Sequence, residues 1–218
     1  MGKSALVNAL IGHEAHETGL ATPSRSDQTI DWHLAGGESL RVVDTGGFDG
    51  SARRDEAVLA QMDNADMVIW VHRADRPARA ADAALLAAWS DAHSATPDRR
   101  APPLLHVVTG VDRVLPGWPR PENQLTRDDQ TRLAAITNAV SEALGGPRVV
   151  PVSVGPVEWN LNALRQELDA CQPQARLAQR SRLRLAAERG TGLSTNARRA
   201  GRGMGKLASR FLPWVTRR

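Results

Sequence analysis

The sequence predicts an α/β fold built on a mostly parallel sheet with one antiparallel edge strand. Three observations carry this. Short, continuously apolar runs at Met67–Val71, Leu104–Val108 and Arg148–Val152 read as strands buried on both faces. Helix-length segments alternate with them, which implies parallel pairing through right-handed crossovers. A pair of alternating segments around Gly36-Gly37 reads as a hairpin, which supplies the antiparallel strand.

In chain order, residues 4–12 form a helix with apolar positions Leu6, Val7, Leu10 and Ile11, stopped by Gly12. Residues 13–28 read as a polar loop. Thr29–Ala35 and Ser39–Val43 are the hairpin strands, and 44–50 (DTGGFDG) is a glycine-rich loop. Helices are expected over 52–63, 79–91 and 127–144, the last ending at Gly145-Gly146-Pro147. Residues 113–126, with three prolines and the anchors Leu115 and Trp118, read as an ordered loop. The last helix of the core is expected over 159–171, after which 174–189 is helix-prone and 190–205 flexible by composition. The division is a domain over 1–172 and a basic tail over 173–218. No internal repeat is present.

The chain has 218 residues, 41% hydrophobic and 24% charged, enough for one well-buried domain and an extension. Its single cysteine, Cys171, excludes an intrachain disulfide and a cysteine metal cluster. No apolar run approaches the roughly 18 residues of a membrane span, and no secretory signal is read before the first motif, so a cytoplasmic setting is expected. The net charge of +4 conceals two opposite parts. From Arg176 onward there are twelve Lys and Arg against one acid, Glu188; the remainder holds 16 basic and 23 acidic residues. An acidic body with a strongly basic tail suggests an appendage for an anionic surface, either RNA or phospholipid.

Four short segments carry the chemistry. Gly2-Lys3-Ser4, with Ala5 behind it, opens the first helix. It looks like the end of the phosphate-binding pattern G-x-x-x-x-G-K-[ST]. Unpaired amides at a helix start attract phosphate, Lys3 would reach it as a point charge, and the Ser4 hydroxyl would ligate Mg²⁺. Alone, G-K-S is more often an ordinary helix start. Asp44, ending the second hairpin strand, supplies a carboxylate where a Mg²⁺ shell needs one, and Gly47 a free amide for a terminal phosphate; D-x-x-G by itself is also a common turn. Thr109-Gly110-Val111-Asp112 follows the next buried strand, and a carboxylate there accepts from the N1 and N2 groups of guanine, a donor pair adenine lacks. Ser153-Val154 ends the last strand, in a loop able to offer an amide to guanine O6.

All four lie at strand C-terminal ends, the edge at which open α/β sheets bind ligands. On GKSALVNALIG, VVDTGGFD, TGVD and PVSV the chain resembles the Era/Der-like (50S ribosome-binding type) small GTPases of the translation-factor-related P-loop class, from Met1 to about Cys171. The resemblance implies a Ras-like three-layer P-loop domain that binds GTP or GDP with Mg²⁺ and hydrolyses GTP. Gly2, Lys3, Ser4 and Ala5 take the phosphate-loop roles, with Lys3 and Gly47 as the catalytic pair. Thr109, Asp112, Ser153 and Val154 face the base, and Ser4 and Asp44 the metal. The third metal ligand, the switch I threonine, is placed at Thr29, with Ser26 and Thr22 in the same loop. Some relatives recruit K⁺ through an asparagine at a position before Met1. Further expected partners are the ribosome or RNA, or the inner-membrane periphery, through 176–218, and a second G domain in a dimer.

Departures from the family pattern are equally plain. Phe48 stands where the Ras branch has a water-orienting glutamine, as in the Era/Der-like class. Gly110 replaces the lysine of N-K-x-D and Gly155 that of S-A-K, so neither lysine stem covers the guanine. A degenerate, non-hydrolysing nucleotide binder and a binder acting only through its basic tail are the alternatives. The resemblance also implies that a first strand and the first half of the phosphate loop lie upstream of Met1, an internal valine codon having been taken as the start. The 218-residue chain by itself is then expected to be unstable and to bind nucleotide poorly. His13-Glu14-Ala15-His16 has the wrong spacing for a zinc helix. Trp70 and Trp89 read as core, Trp118 either as loop anchor or as a neighbour of the base, and Cys171 as inert.

Overall fold

The computed structural model describes residues 2–12, 28–33, 39–46, 52–76, 80–96, 98–119, 124–155 and 157–200. The order is α1 (Lys3–Ile11), β1 (Gln28–His33), β2 (Ser39–Asp44), α2 (Ala52–Asn64), β3 (Val68–Arg73), α3 (Ala80–Ser94), β4 (Leu104–Thr109), a 3-10 turn (Val111–Arg113), α4 (Arg127–Ala143), β5 (Val149–Pro151), β6 (Ser153–Val154), β7 (Glu158–Trp159) and α5 (Leu161–Ala200).

The central sheet is β3-β4-β5, parallel throughout, with Val68 opposite Leu104 and His106 opposite Val149. Period-2 alternation sends the two faces of its strands into different cores. Leu105, Val107 and Val150 face α1 and α5, where they meet Leu6, Leu10, Leu161 and Leu164. Val68 and Trp70 face α2 and α3, against Val58, Met62, Leu85, Leu86 and Trp89. Val108 meets α4 through Leu133 and Val140. The result is helix, sheet and helix in three layers. Trp70 and Trp89 are core residues, as expected.

The remaining strands form two further sheets rather than extending this one. β1 and β2 pair antiparallel from Gln28–Asp44 to His33–Ser39, and β6 pairs β7 in a two-residue hairpin. Among the described residues no ladder joins β2 to β3. The hairpin is held to the body by side-chain packing instead: Trp32 lies against the α1 and α5 cluster that also includes Ile69 and Val71 of β3.

Local chemistry sets the helix ends. α1 stops at Gly12, whose φ of 84° is the left-handed region that costs a glycine little. α4 starts on a reciprocal capping box: the Thr126 hydroxyl accepts from the Asp129 amide at 3.2 Å, and the Asp129 carboxylate accepts from the Thr126 amide at 3.0 Å.

The C-terminal region corrects the sequence reading. In place of a core helix ending near 171, a second helix and a flexible run from 190, α5 is one 40-residue helix that runs through Pro173 to Ala200. Trp159 belongs to β7, not to the helix. An interior proline costs about 3 kcal/mol, and docking beyond it offsets that cost. Ala178 is buried, and the Ser181 hydroxyl donates to Asp98 O at 2.7 Å and accepts from the Arg100 amide at 3.1 Å. Arg182 and Gln179 both reach Asp66, at 2.6 and 2.8 Å. Once those turns are formed, adding residues past Gly190 needs only helix propagation, not a new nucleus. Residues 201–218 lie outside the described residues.

Candidate functional site

The N-terminus of α1, the C-terminal end of β2, the end of β4 and the loop after β5 converge on one edge of the molecule. Gly2 caps α1 without any side-chain cap, and its carbonyl accepts from Leu6 at 2.8 Å. The first amides of α1 thus have no side-chain partner from the cap and suit an anion. Gly2 packs directly on Thr109: a β-carbon there would lie 2.3 Å from Thr109 Oγ1. The glycine is therefore needed for close approach of the phosphate loop to β4.

Ser4, on the first turn, donates its hydroxyl to Asp44 Oδ2 at 2.5 Å, across 40 residues of sequence. Asp44 is 5% exposed, so this carboxylate is buried beside the helix start. Lys3 completes the trio. Burial pushes its ammonium pKa below the ordinary lysine value, the Asp44 charge pulls it back up, and Arg54 lowers it further. A desolvated cation of this kind gains most from an incoming anion.

A Mg²⁺ ion fits the donor set of Ser4 and Asp44, two hard oxygen ligands at one point. Among the described residues no group of three or more His, Cys, Asp or Glu forms a metal cage. The ion at this site would take its remaining ligands from phosphate and water, the usual habit of Mg²⁺. Thr29, the expected third ligand, lies one residue out of register with Asp44. It stands opposite Val43 in the hairpin, so its side chain shares the face of Val43 and not that of Asp44, which pairs with Gln28. The one-residue offset puts the threonine and the carboxylate on opposite faces of the hairpin. Thr22, Ser26, Gly47, Phe48 and the 13–16 segment lie outside the described residues.

At the base end, Gly110 takes a left-handed turn (φ 74°) out of β4 into the 3-10 turn that carries Asp112. The Ser153 hydroxyl, fully buried, lies 3.2 Å from Asp112 Oδ1. Thr109 is buried too, but its hydroxyl donates to His72 O on β3 at 3.1 Å. It braces the strand and the phosphate loop and does not point a donor at a base. Val154 sits in β6 opposite Glu158, next to the open end at Gly155, and Ala5 lies within the first turn of α1. Trp118 makes a T-shaped contact with Trp159, ring centroids 6.0 Å apart, and packs with Val111 and Leu115. It anchors the loop that follows Asp112.

Behind this edge lies a pair the sequence reading missed. His72 Nε2 and His106 Nδ1 are 3.2 Å apart in adjacent strands, both rings buried. Burial, then the His72 charge, drives the His106 pKa down to about 4, against a raising influence from Asp82. Cys171 is partly buried, and desolvation followed by the Glu167 charge raises its thiol pKa, which keeps it a poor nucleophile.

A parallel sheet with helices on both faces, antiparallel edge pairs and a lysine-bearing helix start beside a buried strand-end aspartate define an α/β GTPase fold of Ras-like, P-loop type. Residues 1–108, just under half of the 218, match the family described as 50S ribosome-binding GTPase. Among solved structures, the chain is similar to a dimerization-deficient mutant of Toc33 from Arabidopsis thaliana. That likeness has 16% identity and a TM-score of 0.48, over 71% of this chain and 67% of the other. It is also similar to LeoA, a bacterial dynamin GTPase from ETEC, with 14% identity and a TM-score of 0.46. There 89% of this chain aligns with 37% of the length of LeoA. No curated protein matches the chain.

Proposed function

We propose that the protein is a guanine-nucleotide-binding switch that hydrolyses GTP to GDP and phosphate. The observation that carries this reading is the 2.5 Å contact between Ser4 at the start of α1 and Asp44 at the end of β2, with Lys3 desolvated beside it. In this reading the α1 amides and Lys3 bind and orient the phosphates, and Asp112 selects guanine by accepting from N1 and N2. Ser4 and Asp44 would hold Mg²⁺, which would supply charge neutralisation for the phosphates when bound. Catalysis then consists of positioning and electrostatics, with Gly47 giving its amide to the terminal phosphate.

The test is titration with mant-GDP, with and without Mg²⁺, for the wild type, Lys3→Ala and Asp112→Ala. Binding that needs Mg²⁺ and is weakened in both variants supports the reading; no binding by the wild type, or binding indifferent to both changes, sinks it. Phosphate release in K⁺ against Na⁺ then separates a switch from a second reading, a nucleotide binder that does not turn over. The second reading is favoured by the Thr109 hydroxyl being committed to His72 O and by a glycine at position 110, which strip two base contacts from the site.

The basic C-terminal region is proposed to meet an anionic surface, RNA or membrane, at the periphery of the cytoplasm. α5 turns Ala178, Ser181 and Arg182 to the body; Arg176, Arg180 and Arg184 are exposed, with Arg184 reaching Asp98 at 3.8 Å and Glu188 at 3.7 Å. Among the described residues no helix is long and apolar enough to cross a membrane. Replacing those three arginines with glutamine tests the idea better than deletion from 174, which would also strip the docking contacts. Unchanged retention on RNA and on anionic vesicles would refute it. A second G domain as partner is checked by the sedimentation of the nucleotide-loaded chain.

A further inference from the structure

We propose that Gly155 is a specificity-determining position, whose missing side chain gives Asp112 the room to read the base. The inference rests on the guanine reading of Asp112 made above and deepens it.

Gly155 does not adopt a left-handed backbone, so conformational freedom is not what the glycine contributes. Its contribution is space. A β-carbon at this position would lie 2.8 Å from Asp112 Oδ2, 3.2 Å from its Cγ and 3.5 Å from Oδ1. The carboxylate therefore occupies the volume that any other residue would fill. Its other oxygen lies 3.2 Å from the Ser153 hydroxyl, which in turn accepts from the Gly155 amide at 3.4 Å. Two residues of one loop thus flank the carboxylate, one by a polar contact and one by a bare α-carbon.

The polar contact is shared. Val157 O lies 2.9 Å from the same Ser153 hydroxyl, and one hydroxyl proton serves one acceptor at a time. The steric boundary at Gly155 is the contact without a competitor. A methyl group there meets the far end of a short, rotatable side chain rather than backbone. The chain yields by swinging the carboxylate, at little cost in stability, and the carboxylate is the group that must align both oxygens on N1 and N2. Hydrogen bonds lose strength steeply with such misalignment.

The experiment compares GDP with IDP, which lacks the exocyclic 2-amino group and so reads one arm of the carboxylate. Affinities are measured by displacement of mant-GDP from the full-length wild type, Gly155→Ala, Asp112→Ala and the double variant. The wild type is expected to prefer GDP by about tenfold, as the loss of one buried hydrogen bond to a charged group predicts. Gly155→Ala should lower that preference at least ~3-fold, GDP affinity falling more than IDP affinity, and should have no effect on the ratio once Asp112 is alanine. Its thermal midpoint should stay within about 2 °C of wild type. A preference unchanged by Gly155→Ala, or an equal loss in the Asp112→Ala background, overturns the proposal. So does a Gly155→Ala chain that melts far below wild type, because the strain then falls on the backbone. A wild type that binds GDP and IDP alike overturns the guanine reading itself, a result distinct from failure of the glycine.

Discussion

The phosphate end and the base end of the candidate site are built on different physics. At the phosphate end, charge and burial act together: a desolvated Lys3 and the open amides of the first turn of α1 stand beside the buried Asp44 at the end of β2. At the base end the one carboxylate, Asp112, acts through hydrogen-bond geometry, and placement does the selecting. Thr109 has turned its hydroxyl away to His72, Gly110 offers no stem, and Asp112 depends on Ser153 and the space at Gly155. An electrostatic site tolerates small displacements, because Coulomb energy falls slowly with distance. A hydrogen-bonding site does not. The phosphate end should thus govern affinity and the base end discrimination.

The largest effect should come from Lys3→Ala. Losing a charge-assisted contact to phosphate is expected to cut mant-GDP affinity about 100-fold while leaving the GDP-to-IDP ratio alone. A changed ratio would break the division between the two ends. Asp112→Ala should cost less in affinity, about tenfold to thirtyfold for GDP, and should level GDP with IDP; ADP affinity, measured alongside, should not fall.

A smaller effect is expected from acid. His106 lies on β4, three residues before Thr109, and is neutral when folded, with a pKa of about 4 against an ordinary 6.5. Below 6.5 the unfolded chain takes up a proton that the folded chain refuses. Stability is therefore complete above about pH 6.5 and is lost as pH falls toward 4. Thermal midpoints measured across that window should fall, and His106→Gln should flatten the slope. An equal slope in the variant would move the acid sensitivity elsewhere. The smallest effect should be that of Ser181→Ala, which removes the hydroxyl bridging Asp98 O and the Arg100 amide. About 1–2 kcal/mol of unfolding free energy should be lost in denaturant titration, with nucleotide affinity unchanged at both ends.

Legibility in the sequence followed the range of the interactions. Strands β3, β4 and β5 were readable because a run such as Leu104–Val108 is apolar without interruption, and α1 because Gly12 ends it. The meeting of Ser4 with Asp44 was readable through the spacing of the two segments. The length of α5 was not. Pro173 and Gly190 are local breakers, and what overrides them at Ser181 and Arg182 is docking on Asp98 and Asp66, more than 80 residues away in the chain. The β6–β7 pair is too short for any periodicity to show. That Thr29 and Asp44 fall on opposite faces was not readable, because one residue of register reverses the face of a strand, and the sequence pattern does not fix register in a hairpin with polar residues on both sides. Gly155 looked like a lost lysine; that it makes room for a carboxylate appears only when the loop after β5 is set beside the turn after β4.

The separation of β2 from β3 has a dynamic consequence. Cooperative units in proteins tend to follow hydrogen-bonded ladders. The β1–β2 hairpin carries Asp44, while β4 leads into the Asp112 turn, and among the described residues no ladder links the two. The hairpin should then open as a unit of its own, exchanging its amide hydrogens faster than β4, and each opening would withdraw Asp44 from Ser4 while leaving Asp112 in place. A ligand spanning both ends would tie two independently melting pieces together. Occupancy of the site should slow hydrogen exchange in β2 more than in β4, so the protein would record its bound state as a change in local rigidity.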